Sequence, residues 1–259
     1  MKNTKYFVIA LFFLFSINSI AQIKTELVTY SDGDVTLEGY IAYDESVKDK
    51  MPAVIIIHDW MGVGSFVKEK AEAIAKLGYV GFAADIYGKD NRPKDSQEAG
   101  KLAGMFKNDR ALMRKRVNLA LEEIKKKSIV NPDKIAVMGY CFGGTVALEL
   151  SRSGADVKGA VSFHGGLDTP TPQDAKNIKG KVLVLHGGDD PFVPREQVAA
   201  FEKEMKDAGV DYQLFIYSGA VHSFTNPAAG NDNSKGAAYN EKADKRSWEA
   251  MKTFFKEIF

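Results

Sequence analysis

The chain has 259 residues, enough for one large domain, and its apolar (45%) and charged (27%) fractions are ordinary for a globular protein. Its 35 basic residues nearly balance its 34 acidic residues, which argues against binding to nucleic acid or to an anionic membrane, because both need a basic surface. The only cysteine is Cys141, so the chain cannot form an internal disulfide.

The first 21 residues are typical of a secretory signal peptide. Two lysines give a positive start, residues 6–15 form an apolar run too short to span a membrane, and Ser19 and Ala21 form a small-residue cleavage site. We expect cleavage after Ala21, export to the periplasm or the medium, and a single domain over 22–259. The alternative is an uncleaved membrane anchor, but the short run and the cleavage site favour removal.

Predicted strands alternate with predicted helices along most of the remaining chain. Segments 24–31 and 35–45 form a hairpin, because apolar and polar residues alternate in the second of them. The continuous apolar run 52–58 suits an inner strand that is covered on both faces. Further strands are predicted over 79–85, 131–139 (with its turn), 157–165, 181–187 and 211–218, and helices over 68–78, 110–127, 142–154, 194–209 and 240–259.

Two segments are predicted to be irregular. Residues 89–100 are polar and have Gly88 and Pro93 around them, which is typical of a loop. Residues 226–239 form a longer polar stretch, and loops of that length are more often functional than idle. The whole pattern predicts an α/β sandwich with a mostly parallel sheet and an antiparallel start.

The segment GYCFGG, residues 139–144, has the features of a nucleophile elbow with sulfur in the place of the usual serine oxygen. It follows a predicted strand and precedes a predicted helix, as an elbow requires. Gly139 and Gly143 allow close approach of neighbouring backbone, and the N-terminus of the helix favours a thiolate. A lone cysteine is otherwise usually a small buried hydrophobic residue, but the elbow context favours Cys141 as a nucleophile.

An acid and a base follow in the chain order of an α/β-hydrolase. In HGGDDP, residues 186–191, we assign the acid to Asp190 because the residue before the proline is held at the mouth of the turn. A solvated acidic turn is the alternative, and it fits Asp189 well. In GAVHSF, His222 follows a predicted strand and precedes the long polar segment, so we assign it as the base.

The segment HDWMGVG, residues 58–64, follows the first inner strand and should bring backbone N–H groups to the nucleophile. We expect the N–H groups of Trp60 and Phe142 to form the oxyanion hole. The candidates for substrate binding or for tuning of the thiol are His58, Asp59, Tyr140 and His164.

Together GYCFGG, HGGDDPFVP, GAVHSF and HDWMGV resemble the dienelactone hydrolase family, as do ADIYGK and AYNEKADKRSWEAM. The resemblance covers nearly everything after the signal. It implies an α/β-hydrolase fold with a mostly parallel central sheet, an antiparallel N-terminal hairpin and helices on both faces. It also implies a triad of Cys141, His222 and Asp190 that cleaves esters or lactones.

Two positions depart from the family pattern. Members that act on dienelactone have a glutamate, which helps to switch the cysteine between thiol and thiolate, where this chain has Asp59. Here Asp59 either disfavours the thiolate by its charge or only caps its loop. The same members hold a substrate carboxylate with an arginine, for which Arg92 and Arg110 are candidates outside any motif.

The chemistry of sulfur favours lactones, enol esters and thioesters as substrates, because thiolate leaves a tetrahedral adduct more easily than an amine does. We expect an acyl-thioester intermediate, a small-molecule substrate and no metal or other cofactor, since no ligand set or nucleotide-binding glycine loop is present. One alternative is an inactive fold that binds a ligand or partner, against which the complete triad argues. The other is a redox thiol protein, which usually needs a second, resolving cysteine.

Overall fold

A computed structural model of the protein describes residues 22–259, so the expected signal peptide lies outside the described residues. In this part of the chain the strands are β1 (Ile23–Asp32), β2 (Val35–Asp44), β3 (Met51–Ile57), β4 (Val80–Ala84), β5 (Val130–Tyr140), β6 (Gly159–Phe163), β7 (Lys181–Gly187) and β8 (Tyr212–Tyr217). The helices are α1 (Ser65–Ala75), α2 (Ser96–Asn108), α3 (Arg110–Lys125), α4 (Phe142–Arg152), α5 (Arg195–Ala208) and α6 (Glu241–Ile258). None of these helices is long and apolar enough to cross a membrane.

The eight strands form one sheet in the order β1-β2-β4-β3-β5-β6-β7-β8. The hairpin β1–β2 pairs antiparallel within itself and with β4, and all other neighbours are parallel. The carboxyl ends of β3, β5, β6 and β7 therefore meet at one edge, where Ile57 pairs with Gly139 and Tyr140 pairs with Phe163. The predicted mostly parallel sheet with an antiparallel start is confirmed.

The core lies on both faces of the sheet, because side chains of an inner strand alternate between the two faces. On β3, Ile55 and Ile57 pack with residues of α2, α3 and α4, whereas Val54 and Ile56 pack with residues of α1 and α6. Helices thus cover both faces, as predicted. The turn that carries the predicted nucleophile Cys141, here called the nucleophile turn, lies between β5 and α4 near the middle of the sheet.

The prediction of a loop over residues 89–100 is confirmed as far as Asp95 and wrong from Ser96 onward, where residues 96–100 are helical. Only a short 3-10 turn, Lys89–Asn91, occurs there before helix α2 begins at Ser96. The Asp95 side chain caps this helix by accepting the N–H of Glu98 at 2.9 Å. The buried face of α2 consists of two alanines and one phenylalanine at helical spacing, and the small alanines mark a buried face less clearly in the sequence than leucine, isoleucine or valine would.

The long polar segment after β8 folds back on itself. It contains two short 3-10 turns, Pro227–Ala229 and Asn233–Lys235, and Ala237 forms an isolated parallel bridge with His222. The backbone N–H of His222 donates to Gly236 O at 3.1 Å. The segment is therefore attached directly to the histidine that the sequence predicts as the base.

Candidate active site

Cys141 lies on a tight turn between β5 and α4 with φ 54° and ψ −116°, a conformation that L-residues rarely adopt. The neighbouring glycines make this turn possible. A Cβ on Gly139 would lie 2.0 Å from the carbonyl oxygen of Gly143, and a Cβ on Gly143 would lie 2.3 Å from that of Ile57. Backbone occupies both places, so the half-buried thiol of Cys141 is presented on a rigid, strained turn.

The structure brings Asp190 to His222. The Nδ1 of His222 is 2.8 Å from Asp190 Oδ2, and the other oxygen of that carboxylate accepts the N–H of Phe192 at 2.8 Å. Asp190 is buried, whereas Asp189 is exposed and does not contact the imidazole. The carboxylate fixes the proton of the imidazole on Nδ1, which leaves Nε2 free to accept a proton.

His222 has an unusual charge preference. Burial lowers its pKa, but the neighbouring Cys141 and the bonded Asp190 carboxylate outweigh burial and raise the pKa of His222 to about 10. The imidazolium next to the sulfur is therefore the favoured form at neutral pH.

Cys141 and His222 line one cavity of about 450 Å³. The exposed rings of Trp60 and Phe192 lie at its walls, and the ring of Phe192 meets that of His222 edge-on, with 5.4 Å between the centroids. The volume suits a small organic ligand with an apolar part.

Nine of the twelve residues that line this cavity were not predicted as site residues from the sequence, among them Phe192, Lys107 and Lys235. Phe192 lies in the HGGDDPFVP motif, where its position two residues after Asp190 is a usable signal. Lys107 is on the missed helix α2, and Lys235 is in the long segment that length alone marks as functional. The two lysines add positive charge to a lining that also contains the carboxylate of Asp168.

The two expected oxyanion donors are available. The amide of Phe142 is at the first position of α4, so it has no acceptor within the helix. In the loop after β3, the N–H groups of Met61 and Gly62 donate to Asp59, and no hydrogen bond in residues 22–259 uses the Trp60 N–H. Trp60 also lines the cavity with Cys141.

Two of the candidate tuning residues are buried and do not line the cavity that contains Cys141. His58 is fully buried, with Nδ1 2.6 Å from Asp59 O and Nε2 accepting the N–H of Ile86 at 3.2 Å. Tyr140 is also fully buried, and its ring stacks on Phe163. Both residues can affect the site only through the backbone and rings that they hold.

Asp59 has the geometry of a cap. One carboxylate oxygen accepts the N–H of Met61 at 2.8 Å, and burial raises the pKa of Asp59. Its side chain lines a second cavity, of about 400 Å³, together with Phe66 and Asn226. A tuning effect of Asp59 on the thiol stays a prediction.

The two candidate arginines are both engaged by carboxylates. Arg92 binds Glu38 at 3.1 Å, away from the cavity. Arg110 binds Asp168 at 2.9 Å, and Asp168 lines the cavity that contains the cysteine. Arg110 is therefore the arginine that approaches the site, through its carboxylate partner. Within residues 22–259, no three His, Cys, Asp or Glu side chains come close enough to hold a metal ion.

The strand order, the strained turn and the acid-bonded histidine define an α/β-hydrolase fold with Cys141 on the turn between β5 and α4. The chain belongs to the dienelactone hydrolase family, whose model matches residues 37–259. It is thus a hydrolase of the class that cleaves lactones and esters.

Relatives of full length are found among known sequences. The chain is 30% identical to "Protein usf" of Aquifex pyrophilus, over 90% of this chain and 98% of the relative. It is 29% identical to a "Putative carboxymethylenebutenolidase" of Aquifex aeolicus, over 89% and 97%. A protein of Bradyrhizobium named "Probable 2-oxo-3-(5-oxofuran-2-ylidene)propanoate lactonase" is 30% identical over 69% and 75%.

Two solved structures resemble the whole fold. One is titled "m3DLH", with a TM-score of 0.88 and 38% identity over 92% of this chain and 99% of that chain. The other is a dienelactone hydrolase-like promiscuous phosphotriesterase, P91, from metagenomic libraries, with a TM-score of 0.87 and 36% identity over the same shares.

Proposed function

We propose that the protein hydrolyses small carboxylic esters and lactones through a triad of Cys141, His222 and Asp190, with an acyl-thioester intermediate. The observation that carries the proposal is the 2.8 Å contact between His222 and Asp190 in the cavity where Cys141 is presented on a strained turn. A base held in one tautomer beside a presented nucleophile is the arrangement that acyl transfer needs.

The first half-reaction starts from the pair in which His222 already holds the thiol proton, and the thiolate of Cys141 attacks the carbonyl carbon of the substrate. The carbonyl oxygen becomes negative and accepts the N–H groups of Phe142 and Trp60. The adduct then collapses, and the C–O bond to the alcohol breaks. The alcohol takes the proton from His222, and the acyl group stays on sulfur as a thioester. With a lactone, the alcohol remains part of the same acyl chain, and the ring opens.

In the second half-reaction, water attacks the thioester carbonyl while His222 accepts its proton. The second adduct expels the thiolate, which restores the pair of thiolate and imidazolium from which the reaction started. The products are a carboxylic acid and an alcohol, or a hydroxy acid from a lactone. Asp190 stays ionised throughout and stabilises each imidazolium.

The proposal favours substrates with a good leaving group. A thiolate is itself expelled easily from a tetrahedral adduct, so the adduct goes on to the acyl-enzyme only when the other group leaves as easily as the thiolate. An enolate or phenolate does so, and an amine does not. Enol esters, lactones, aryl esters and thioesters form the substrate panel. An aryl phosphotriester belongs in the panel as well, because the P91 relative is named for that activity.

Replacement of the nucleophile tests the proposal. Cys141→Ala should lower kcat for an aryl ester by about 10³-fold or more, because the triad acts as a unit. Mass spectrometry of wild-type protein quenched with substrate should find the acyl group on Cys141. A protein that binds the panel without turning it over would support the alternative of an inactive fold, and near-native activity of Cys141→Ala would refute the cysteine mechanism.

A further inference from the structure

His164 follows strand β6 and lies between the nucleophile turn and the loop that carries His222. Its side chain is 2% exposed. Its backbone N–H donates to Leu185 O on β7 at 2.8 Å, which anchors the residue to the sheet. The centroid of its ring is 5.2 Å from that of His222. None of the steps proposed above uses this histidine.

The imidazole of His164 has a partner on each side. Its Nδ1 accepts the backbone N–H of Cys141 at 3.2 Å, an N–H that also donates to Phe163 O at 3.0 Å. Its Nε2 is 2.8 Å from the hydroxyl oxygen of Thr225, which is 1% exposed. Thr225 comes three residues after His222 on the same loop.

These partners decide where the proton of the ring is. Because Nδ1 accepts an N–H, the proton must be on Nε2, which donates to Thr225. Burial, followed by the nearby His222, holds the pKa of His164 well below its ordinary value. The ring is therefore neutral at neutral pH, and both hydrogen bonds are kept while His222 carries its charge.

Unusual backbone conformations occur at His164 and at the two segments that it joins. Within residues 22–259, the non-glycine residues with positive φ are Cys141 at 54°, His164 at 40° and Ser223 at 57°. One is the nucleophile, one is the histidine between the two loops, and one directly follows the base. Strained conformations persist only where surrounding contacts hold them, and they concentrate at functional sites.

We infer that His164 is a positioning residue that couples the nucleophile turn to the loop of the base, through hydrogen bonds to the Cys141 amide and the Thr225 hydroxyl. The inference rests on the function proposed above. The sulfur and the imidazole come from different elements, and small misplacement of reacting groups is costly in rate. The link through His164 holds the two groups at their working separation without contact to substrate.

Two substitutions remove the Thr225 bond from opposite ends. Thr225→Val replaces the hydroxyl by a methyl group of the same shape. His164→Asn keeps an acceptor near the position of Nδ1 for the Cys141 amide but does not reach Thr225. We expect each to lower kcat for an aryl ester about tenfold, which corresponds to one neutral hydrogen bond, with KM changed less than about twofold.

The double variant His164→Asn/Thr225→Val should be no slower than the slower single variant, because both changes remove the same bond. Ser162→Ala is the matched control. Ser162 is fully buried on β6, two residues before His164, and its hydroxyl has no hydrogen-bond partner in the described chain. The control should keep wild-type kcat and KM.

Full activity of a folded Thr225→Val protein would overturn the inference. A double variant whose fold loss in kcat equals the product of the two single losses would overturn it as well. If His164→Asn does not fold, Thr225→Val alone decides. Loss of hydrolysis in Cys141→Ala together with full activity of Thr225→Val would remove the coupling role and leave the proposed function intact. Retained hydrolysis in Cys141→Ala would overturn both.

Discussion

The position of one carboxylate decides how His222 is oriented. Asp190 uses one oxygen for the imidazole and the other for the N–H of Phe192, so both oxygens are fixed. The residue before it, Asp189, is also an aspartate, but its side chain is exposed and the imidazole bonds Asp190 instead. At this scale the chemistry depends on which of two adjacent aspartates points into the fold.

Asp190→Asn should lower kcat by about 10²-fold or more, because an amide can no longer hold the Nδ1 proton of His222. The loss should be smaller than that of His222→Ala, which removes the base itself. The measurement is kcat for an aryl ester under saturating substrate.

Asp189→Asn is the matched control, since it changes an exposed neighbour of the same type. It should leave kcat and KM at wild-type values. If Asp189→Asn were damaging and Asp190→Asn silent, the assignment of the acid would be reversed.

Residues within motifs could be assigned from the sequence, and residues outside them could not. Cys141 and His222 follow predicted strands in a fixed chain order, so their places at the sheet edge were foreseeable. The contact of His164 with Thr225 joins residues 61 positions apart. No local pattern encodes such a pair, because it depends on how two loops pack.

Helix α4 connects the site to a buried ionic cluster. Its N-terminus carries the nucleophile turn, and near its C-terminus Arg152 is fully buried. The guanidinium binds both oxygens of Glu204 at 2.8 Å and one oxygen of Glu149 at 3.1 Å. These bonds tie α4 to α5, so the helix beneath the thiol is held at both of its ends.

Gly143→Ala should destabilise the protein and remove activity. Its new Cβ would lie 2.3 Å from Ile57 O and 2.5 Å from His58 O, and neither backbone atom can move without shifting the end of β3. We expect a loss of roughly 1–3 kcal/mol or more in the free energy of unfolding, as for other overpacked sites. Urea unfolding and ester hydrolysis measure the two effects.

Gly104→Ala provides the comparison on a helix away from the elbow. Nothing lies within 4 Å of a Cβ added at Gly104 on α2, so this change should stabilise the protein by about 0.5–1 kcal/mol through helix propensity. If Gly143→Ala changed the free energy of unfolding no more unfavourably than Gly104→Ala does, the tight packing around Gly143 would be contradicted.

Elements that bury several large apolar side chains were predictable, and α2 was not. The inner strands contain short apolar runs because both of their faces are covered, and the turn residues around these runs favour strands over helices. Helix α2 buries small side chains under a polar surface, and its clearest marker is the Asp95 cap. The ionic cluster of Arg152 was equally invisible, since charged residues on predicted helices are usually solvated.

In the whole molecule, the histidines divide into two groups with opposite effects on stability. Burial, as the first cause, lowers the pKa of His58, His164 and His186 below the ordinary value of 6.5. For His222, burial is outweighed by Cys141 and Asp190, and the pKa is raised to about 10. Both groups link folding to proton binding.

Stability should therefore be greatest near neutral pH. The three histidines with a lowered pKa contribute stability that is present above pH 6.5 and is lost as the pH falls. Below pH 6.5 these histidines bind protons in the unfolded chain more readily than in the folded chain, which favours unfolding. His222 contributes stability that is present below pH 6.5 and is lost as the pH rises toward about 10. Each group contributes a slope of at most about 1.4 kcal/mol per pH unit.

Urea unfolding between pH 4.5 and 10 measures this curve. His222→Gln should flatten the alkaline side, and His186→Gln should reduce the acid slope. The raised pKa of His222 would be contradicted if the free energy of unfolding of the wild-type protein stayed constant from pH 6.5 to 10 and its pH dependence there matched that of His222→Gln.

Two parts of the long segment after His222 have different contacts. Its residues 236–238 hold His222 by backbone hydrogen bonds, whereas residues 231–235 are exposed and reach the cavity only through Lys235. Substitutions in 231–235 should therefore change which acyl groups the proposed enzyme accepts, while the backbone hydrogen bonds of His222 stay unchanged. This short exposed stretch is where new substrate preferences can evolve, or be selected from a library, at the least risk to catalysis.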